Sequence, residues 1–304
     1  MRASFILTAM RLEPGSHVAP HLTLDTLLRM GGVGSIWTAH HLGLDKEVAV
    51  KFISASLATD ATAVARFHRE GALMARIKSP HVAEVYEHGV AANGLSYIVM
   101  ELLRGEELSD RLARAGRLPL EETLALVSQL CTGLTAAHNL GVIHRDITPE
   151  HVFLADTGGG TCVKLLDFGV ARGDVDPDGT TLTNTGAVVG SLVYMSPEQF
   201  FNPKLVDGRS DLWSVGIMAY HALTGAPPFE QKGIEALLGA IRLGTFSPPS
   251  QRCAEITPAL DAWFVKALAR EPSGRFGSAE EMSEALRRAA AGPPGPGSAP
   301  PRVD

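Results

Sequence analysis

The chain has 304 residues, of which 45% are hydrophobic and 20% are charged, and its formal net charge is −6. These values are typical of a folded globular protein and argue against a disordered chain or a small disulfide-stabilised module. The negative charge offers no general attraction to nucleic acid, so we expect no nucleic-acid partner.

The first third of the chain predicts mainly β-structure. Residues 1–21 are expected to be irregular, because prolines and a glycine interrupt any regular element there. Residues 22–103 form a strand-rich part in which one helix is predicted at 61–77. The predicted strands cover residues 35–39, 47–53, 83–88 and 95–101.

The rest of the chain predicts mainly helices. Within residues 104–290, the stretch 121–140 has apolar residues at three- and four-residue spacing. The stretch 211–224 is apolar on nearly all sides, which predicts a buried helix. Residues 291–304 are rich in proline and glycine and are predicted to be a disordered tail. A small strand-rich part followed by a larger helical part predicts an α+β fold.

A glycine-rich segment at 28–36, LRMGGVGSI, lies between two strand-like runs. Closely spaced glycines let the backbone approach a phosphate chain, although a plain β-turn uses the same residues. Lys51 follows on the next apolar strand and requires an anionic partner, either a phosphate or an acidic side chain. Glu70 in the predicted helix offers that side chain, with a solvated helix charge as the alternative.

Two aspartates lie in short apolar surroundings farther along the chain. Asp146 is in VIHRDITPEHVFLAD and Asp167 is in LLDFGVAR. Carboxylates are poor core residues unless they take part in chemistry or bind cations. We therefore expect Asp146 to orient an acceptor hydroxyl and take its proton, and Asp167 to hold Mg²⁺ against phosphates.

These motifs occur in the order of a known family. HRD at 144–146, DFG at 167–169, VAVK ending at Lys51 and SPE at 196–198 match the protein-kinase signature set. Over residues 22–290 the chain resembles the bacterial eukaryotic-like (Hanks-type) Ser/Thr protein kinases. The resemblance implies a bilobal protein-kinase fold, with a small strand-rich N-lobe containing one main helix and a larger helical C-lobe. It also implies ATP, Mg²⁺ or Mn²⁺, and protein substrates.

The resemblance also assigns roles by position. Catalytic roles fall on Lys51, Glu70, Arg145, Asp146 and Thr148, and metal binding falls on Asp167 and His151. The expected nucleotide contacts include the roof and floor of an adenine pocket, a gatekeeper and hinge backbone groups. These contacts are Leu28, Arg29, Gly31, Gly32, Gly34, Ile36, Ala49, Lys51, Met100, Glu101, Leu103 and Phe153.

Further implied contacts are structural. Asp211 is expected to anchor the catalytic loop, and Glu198 is expected to pair with Arg275. His144, Phe168 and Met74 are expected to stack in an internal apolar column.

Four positions depart from the family pattern. Arg29 replaces the first loop glycine, Thr148 replaces a lysine, His151 replaces a metal-binding asparagine, and Ser191 replaces the threonine of the substrate-facing loop but keeps the hydroxyl. Imidazole nitrogen is a poorer ligand for Mg²⁺ than an amide oxygen. Lys51, Glu70, Asp146 and Asp167 are all retained. The expected function is therefore transfer of the γ-phosphoryl group of ATP to Ser/Thr hydroxyls of proteins. An ATP-binding pseudokinase scaffold is the alternative.

A small-molecule phosphotransferase with a kinase-like fold is a third hypothesis. The SPE motif, the following Gln199 and the long loop before them argue against it, since they resemble a platform for protein substrates.

Regulation by phosphorylation is expected in the loop before that motif. Thr183 and Thr185 lie where related bacterial kinases phosphorylate themselves, which implies a dimer during autophosphorylation. Arg145 is expected to bind the phosphorylated loop.

The cysteines and the apolar segments bear on location. The three cysteines are far apart and indicate reduced thiols, and no apolar stretch reaches the roughly 18 residues of a membrane helix. We therefore expect a cytoplasmic protein without a membrane segment.

Overall fold

The structure is a computed structural model, and it describes residues 12–32, 34–168, 189–231 and 233–291. Its first part is a six-stranded antiparallel sheet in the order β1-β2-β3-β4-β6-β5. The strands are β1 His17–Ala19, β2 Leu22–Met30, β3 Gly34–His41, β4 Lys46–Ile53, β5 Val85–Val90 and β6 Ser96–Glu101.

Strand β1 lies inside the segment 1–21, which the sequence predicted to be irregular. It pairs with the start of β2 and buries Val18 to 4% exposure. A three-residue edge strand is too short to produce the alternating pattern by which strands are predicted. The prediction was therefore wrong for His17–Ala19.

One helix, α1 Ala61–Met74, packs against β5 and β6. It begins where the Asp60 carboxylate accepts hydrogen bonds from the backbone N–H groups of Thr62 and Ala63, which have no partner within the helix. Glu70 is buried on this helix at 8% exposure. The helix thus brings a carboxylate to the sheet.

The register of the central strands determines which side chains face α1 and the second lobe. Ile36 lies opposite Lys51 in the β3–β4 pair, and Ala49 lies opposite Met100 in the β4–β6 pair. Opposed residues in antiparallel strands share a face, as do residues two apart on one strand. Ile36, Ala49, Lys51 and Met100 therefore share one face of the sheet.

The second part of the chain is mainly helical. Its helices are α2 Leu108–Ala115, α3 Leu120–His138, α4 Val189–Leu192, α5 Pro197–Phe201, α6 Gly208–Thr224, α7 Ile234–Leu243, α8 Pro258–Ala267 and α9 Ala279–Ala291. This part also contains a small antiparallel sheet, in the order β7 Gly105–Glu107, β8 Val152–Asp156 and β9 Thr161–Leu165.

Helix α6 is the buried axis of this part. Asp207 caps its N-terminus, most of its residues are buried, and Gly225 ends it in the left-handed conformation at φ 83°. This confirms the buried helix predicted at 211–224. Ser210 and Asp211 in its first turn are buried, so α6 presents Asp211 to neighbouring loops.

A buried ion pair joins the end of this part to its middle. Arg275 donates to both carboxylate oxygens of Glu198, at 2.7 and 2.8 Å, and Ser210 donates to Glu198 at 2.6 Å. Burial raises the pKa of Glu198, but Arg275 and Ser210 outweigh burial and hold that pKa below its ordinary value. The predicted pairing is confirmed.

The predicted α+β fold with two unequal parts is confirmed. Helix α9 ends at Ala291, the first residue of the predicted tail, and residues 292–304 lie outside the described ranges. Within the described residues, none of the helices has the length and apolar character that crossing a membrane requires.

Candidate active site

Three charged side chains meet between the sheet and the helical part. The Lys51 ammonium lies 2.9 Å from Glu70 Oε1 and 2.8 Å from Asp167 Oδ1. Strand β4 supplies the lysine, α1 supplies the glutamate, and the segment after β9 supplies the aspartate. Sequence reasoning predicted all three residues, and the structure brings them into direct contact.

Within this cluster, Lys51 and Asp167 each stabilise the charged form of the other. Burial alone lowers the pKa of Lys51, but Asp167 and Glu70 outweigh burial and raise it above the ordinary value. Burial would raise the pKa of Asp167, but Lys51 and His151 hold it below its ordinary value. For Glu70 burial exceeds the effect of Lys51, and its pKa is raised. Lys51 and Asp167 are therefore charged at neutral pH.

The loop that carries Asp146 is fastened to helix α6. The buried Asp211 carboxylate accepts the backbone N–H groups of His144 at 2.9 Å and Arg145 at 2.8 Å. His138 Nε2 lies 2.7 Å from the same carboxylate. Arg145 has φ of +65°, a left-handed conformation that costs energy outside glycine. These hydrogen bonds hold the loop in that conformation, as the anchoring role of Asp211 required.

His144 connects this loop to the segment that carries Asp167. Its Nε2 donates to the carbonyl of Leu166 at 2.8 Å, and its Nδ1 accepts the backbone N–H of Asp146 at 3.3 Å. Burial lowers the pKa of His144, and the hydrogen bond that Nδ1 accepts requires the neutral ring. The ring also packs against Phe168 at a centroid distance of 4.5 Å. His144 therefore couples the position of one aspartate to that of the other.

His151 faces the catalytic loop with only one of its nitrogens. Its Nδ1 lies 2.8 Å from the backbone carbonyl of Asp146, 3.4 Å from Thr148 Oγ1 and 3.6 Å from Asp146 Oδ2. A carbonyl oxygen can only accept, so Nδ1 carries the proton and donates it. In the neutral ring the Nε2 lone pair remains available for a metal. Thr148 is 2% exposed, so a longer lysine side chain at this position would have to displace its neighbours.

The glycine-rich segment has two kinds of glycine. A Cβ on Gly34 would lie 1.8 Å from the carbonyl oxygen of Phe52, so the close approach of β4 requires this glycine. A Cβ on Gly32 would meet no atom within 4 Å, and one on Gly31 would meet only the carbonyl of Gly34 at 4.0 Å. Packing within the sheet therefore requires glycine at position 34, whether or not this residue also contacts a phosphate as predicted. Gly31 and Gly32 border open space.

Arg29 reaches across the opening of the cleft. It lies opposite Ile36 in the β2–β3 register, and its guanidinium forms an ion pair with Glu107 at the end of β7. Glu107 in turn lies opposite Phe153 on β8. The predicted roof residue Ile36 and floor residue Phe153 thus flank the same opening. Sequence reasoning placed Arg29 near the nucleotide but missed Glu107.

The hinge between the two parts is fixed by side chains. Glu101 Oε1 accepts the N–H of Glu84 at 2.8 Å and lies 2.5 Å from Lys164 Nζ. Glu101 Oε1 is thus engaged by both groups, and the nucleotide contacts predicted for Glu101 involve its backbone. Met100 is 8% exposed and precedes Glu101, and Leu103 lies in the connection that follows β6. Leu28 is exposed on β2.

On the other side of the catalytic loop, Gln199 contacts its backbone. The Gln199 amide donates to the carbonyl of Arg145 at 2.7 Å, and Gln199 also closes a capping box with Ser196 at the start of α5. The SPE segment is thereby held against the loop that carries Asp146. The expected phosphorylation sites Thr183 and Thr185 lie outside the described residues.

The comparisons with known proteins are consistent with this geometry. The sequence profile described as "Protein kinase domain" matches residues 23–286. Serine/threonine-protein kinase PknB of Mycobacterium leprae is 37% identical over 282 residues, covering 91% of this chain and 44% of that protein. Serine/threonine-protein kinase pkn3 of Myxococcus xanthus is 36% identical over 277 residues, covering 90% of this chain and 50% of that protein. The chain thus spans half or less of the length of these curated relatives.

A solved structure agrees with the fold. The crystal structure of the Mycobacterium tuberculosis PknI kinase domain is similar with a TM-score of 0.72 and 28% sequence identity. The similarity covers 92% of this chain and 100% of that one.

Proposed function

The chain belongs to the protein kinase domain family, and we propose that it transfers the γ-phosphoryl group of ATP to serine and threonine hydroxyls of proteins. The observation that carries this proposal is the contact of Lys51 with both Glu70 and Asp167, at 2.9 and 2.8 Å. A lysine held by a helix carboxylate beside a metal-binding aspartate is the arrangement that phosphoryl transfer in this family requires. The relatives named above carry the description serine/threonine-protein kinase, which supports the specificity.

The nucleotide site consists of the shared face of the sheet and the opening below it. Ile36 and Ala49 contact the adenine from above, Phe153 contacts it from below, and the backbone of Glu101 and Leu103 forms its hydrogen bonds. Met100 limits the depth of the pocket. Gly31 and Gly32 border the open space for the phosphates, and Lys51 neutralises them.

The phosphoryl acceptor is a hydroxyl oriented by Asp146. The Asp146 carboxylate takes the hydroxyl proton while the oxygen forms a bond to the γ-phosphorus and the bond to the ADP oxygen breaks. The Asp211 and His144 contacts keep this carboxylate at a fixed position relative to Asp167. The residue proposed as the base is therefore supported by two independent anchors.

A divalent metal ion fits the donors that the structure offers. Asp167 is held ionised beside Lys51, and His151 has an available Nε2 when Nδ1 donates to the Asp146 carbonyl. A carboxylate oxygen with an imidazole nitrogen suits Mn²⁺ better than Mg²⁺, which prefers oxygen ligands. A metal held by Asp167 and His151 would neutralise the charge of the phosphates.

The pseudokinase alternative is not supported. Lys51, Glu70 and Asp167 form the expected contacts, and Asp146 lies on a loop anchored by Asp211. The relatives named above carry the description serine/threonine-protein kinase. His151 and Thr148 are then features that adjust the rate of an active enzyme.

Autophosphorylation is part of the proposal. Thr183 and Thr185 are the proposed sites, modified by a second copy in a transient dimer, and Arg145 is the residue that binds the phosphorylated loop. The held backbone of Arg145 supports this role, because Asp211 and Gln199 fix the point from which its side chain extends.

A reducing, cytoplasmic environment for the catalytic domain is also proposed. All three cysteines are free thiols, and burial raises the pKa of Cys131 to about 12, which makes it unreactive.

One experiment tests the proposed function. The purified chain is incubated with γ-labelled ATP, Mg²⁺ or Mn²⁺ and a generic protein substrate, and the label is assigned by phosphoamino-acid analysis. We expect phosphoserine and phosphothreonine on the substrate and on the chain itself. Binding of ATP without any labelled protein would support the scaffold hypothesis. Labelling of an added small molecule alone would support the third hypothesis.

A further inference from the structure

Two histidines and one glutamate converge on the N-lobe, on the face of the sheet opposite Lys51. His21 Nε2 lies 2.9 Å from Glu87 Oε1, and His41 Nε2 lies 3.9 Å from Glu87 Oε2. The ligand atoms of all three residues lie within 4.8 Å of one another. The imidazole rings of His21 and His41 are 4.7 Å apart between centroids. Nothing in the proposed phosphoryl transfer uses these residues.

The curl of the sheet brings them together. His41 ends β3, His21 lies in the turn between β1 and β2, and Glu87 lies on β5 at the opposite edge of the sheet. Strands β3 and β5 are three strand spacings apart, which is about 14 Å in a flat sheet. The contact between their side chains therefore requires a strongly curved sheet, and the cluster joins its two edges.

We propose that His21, His41 and Glu87 form a binding site for a divalent transition metal of the Zn²⁺ class. Two imidazole nitrogens and one carboxylate are a ligand set that Zn²⁺ accepts, with a fourth position left for water. Mg²⁺ and Ca²⁺ prefer oxygen ligands and do not suit this set. Ligand atoms around a tetrahedral Zn²⁺ are about 3.4 Å apart, so the side chains need to shift by no more than about 1.4 Å.

The hydrogen bonds around His41 are compatible with such a metal. In this structure Nδ1 of His41 accepts the N–H of Leu44 at 3.1 Å, which places the proton on Nε2. A metal on Nε2 requires that proton to move to Nδ1. The N–H of Leu44 is also directed at the carbonyl of His41 at 3.2 Å and keeps that acceptor when Nδ1 becomes protonated. Leu44 lies in the exposed turn between β3 and β4, where a small adjustment has little cost.

The expected consequence is structural. A metal at this position connects the β1–β2 edge of the sheet to β5, which lies against helix α1, the helix that carries Glu70. It binds the folded chain only, because the three residues come from separate parts of the sheet: the β1–β2 turn, the end of β3, and β5. Bound Zn²⁺ should therefore raise the melting temperature.

The test counts metal ions per chain. Wild type, His21→Gln and His41→Asn are dialysed against Zn²⁺ and analysed by elemental mass spectrometry. His40→Gln is the matched control, since His40 is the neighbouring residue on β3 and lies 3.9 Å from Asp45 instead of Glu87. We expect wild type and His40→Gln to hold about one more Zn²⁺ per chain than the other two variants. Metal bound near Asp167 is common to all four proteins and cancels in the difference.

A second measurement reports the ligand set. Co²⁺ in place of Zn²⁺ should give the visible absorption of a low-coordinate site in wild type and in His40→Gln, with loss of that absorption in His21→Gln. His21 is partly exposed, so its variant decides the question even if His41→Asn does not fold. Equal Zn²⁺ content in wild type and His21→Gln would overturn the proposal. A melting temperature that Zn²⁺ raises equally in all variants would overturn it as well.

Discussion

Arg29 and Glu107 form an ion pair across the opening of the nucleotide cleft, joining β2 of the N-lobe to β7 of the C-lobe. Arg29 stands where the resemblance to protein kinases predicts a glycine, so its side chain occupies space that a glycine would leave open. The Arg29 side chain is 57% exposed and that of Glu107 is 19% exposed. A pair of this exposure contributes about 0.2–1 kcal/mol. The ion pair is therefore weak enough for a nucleotide to displace. It is also strong enough to change the rates at which the nucleotide associates and dissociates.

Arg29→Gly should accelerate both nucleotide association and dissociation, because it removes the side chain that spans the entrance. The ion-pair energy corresponds to a change of about 1.4- to 5-fold in each rate constant. Stopped-flow fluorescence with a labelled ADP measures both rates. Arg104→Gly is the control, since Arg104 pairs with Glu47 at 3.1 Å on the outer surface. Unchanged or slower rates in Arg29→Gly would rule out a barrier at this position.

His151→Asn should increase Mg²⁺-dependent turnover by a factor of about 10 to 100, if ligand quality limits the rate. Asparagine can donate its amide N–H to the Asp146 carbonyl, as His151 Nδ1 does, while its oxygen faces the metal. The ratio of activity with Mn²⁺ to activity with Mg²⁺ should fall in the variant, because Mn²⁺ tolerates nitrogen ligands better. Steady-state kinetics with each metal measure both quantities.

Thr148→Lys is the companion change. Added to His151→Asn, Thr148→Lys should raise turnover again. The two effects should not be additive, since residues 148 and 151 act on the same phosphoryl group. Because Thr148 is 2% exposed, we also expect a lower melting temperature. If His151→Asn leaves the Mg²⁺ and Mn²⁺ rates unchanged, then His151 does not contact the metal.

Much of the site was predictable because its motifs are local. Lys51, Asp146 and Asp167 each lie in a short apolar segment, where an isolated charge is costly unless it binds a partner or takes part in chemistry. The Arg29–Glu107 pair was not predictable, because its partners are 78 residues apart and each resembles an ordinary surface charge. The cluster of His21, His41 and Glu87 depends on the curl of the sheet, which no local pattern specifies.

Arg275→Met should lower the free energy of unfolding by about 3–5 kcal/mol. The change leaves the Glu198 carboxylate buried at 5% exposure without its ion-pair partner. Arg288→Met is the matched control, because Arg288 and Glu284 are 70% and 59% exposed and such pairs contribute about 0–1 kcal/mol. Urea denaturation measures both. Equal effects of the two substitutions would contradict the structural role of the buried pair.

His144 should make stability sensitive to acid. Its pKa in the folded protein is below the ordinary value of 6.5, so the unfolded chain takes up the proton first as the pH falls. The contribution of neutral His144 is complete above about pH 6.5 and is lost progressively below it. Each unit by which the pKa is lowered corresponds to about 1.4 kcal/mol.

The measurement is the free energy of unfolding of wild type and His144→Gln between pH 7.5 and 5. The pKa values of His68 and His221 are also lowered, so both proteins should lose stability in acid. Wild type should lose more than the variant, which cannot titrate at this position. Parallel curves would mean that residue 144 is not held neutral by the fold.

The proposed phosphoryl transfer depends on Asp146. The rate of phosphate incorporation into a generic protein substrate is measured for wild type and for Asp146→Asn, after ATP binding by both proteins has been established from the thermal shift. We expect Asp146→Asn to bind ATP but to transfer phosphate about 10²- to 10⁴-fold more slowly, because the carboxylate that takes the hydroxyl proton is gone. Two proteins that bind ATP equally and transfer phosphate at the same background rate would contradict the assignment of this chain as an active kinase.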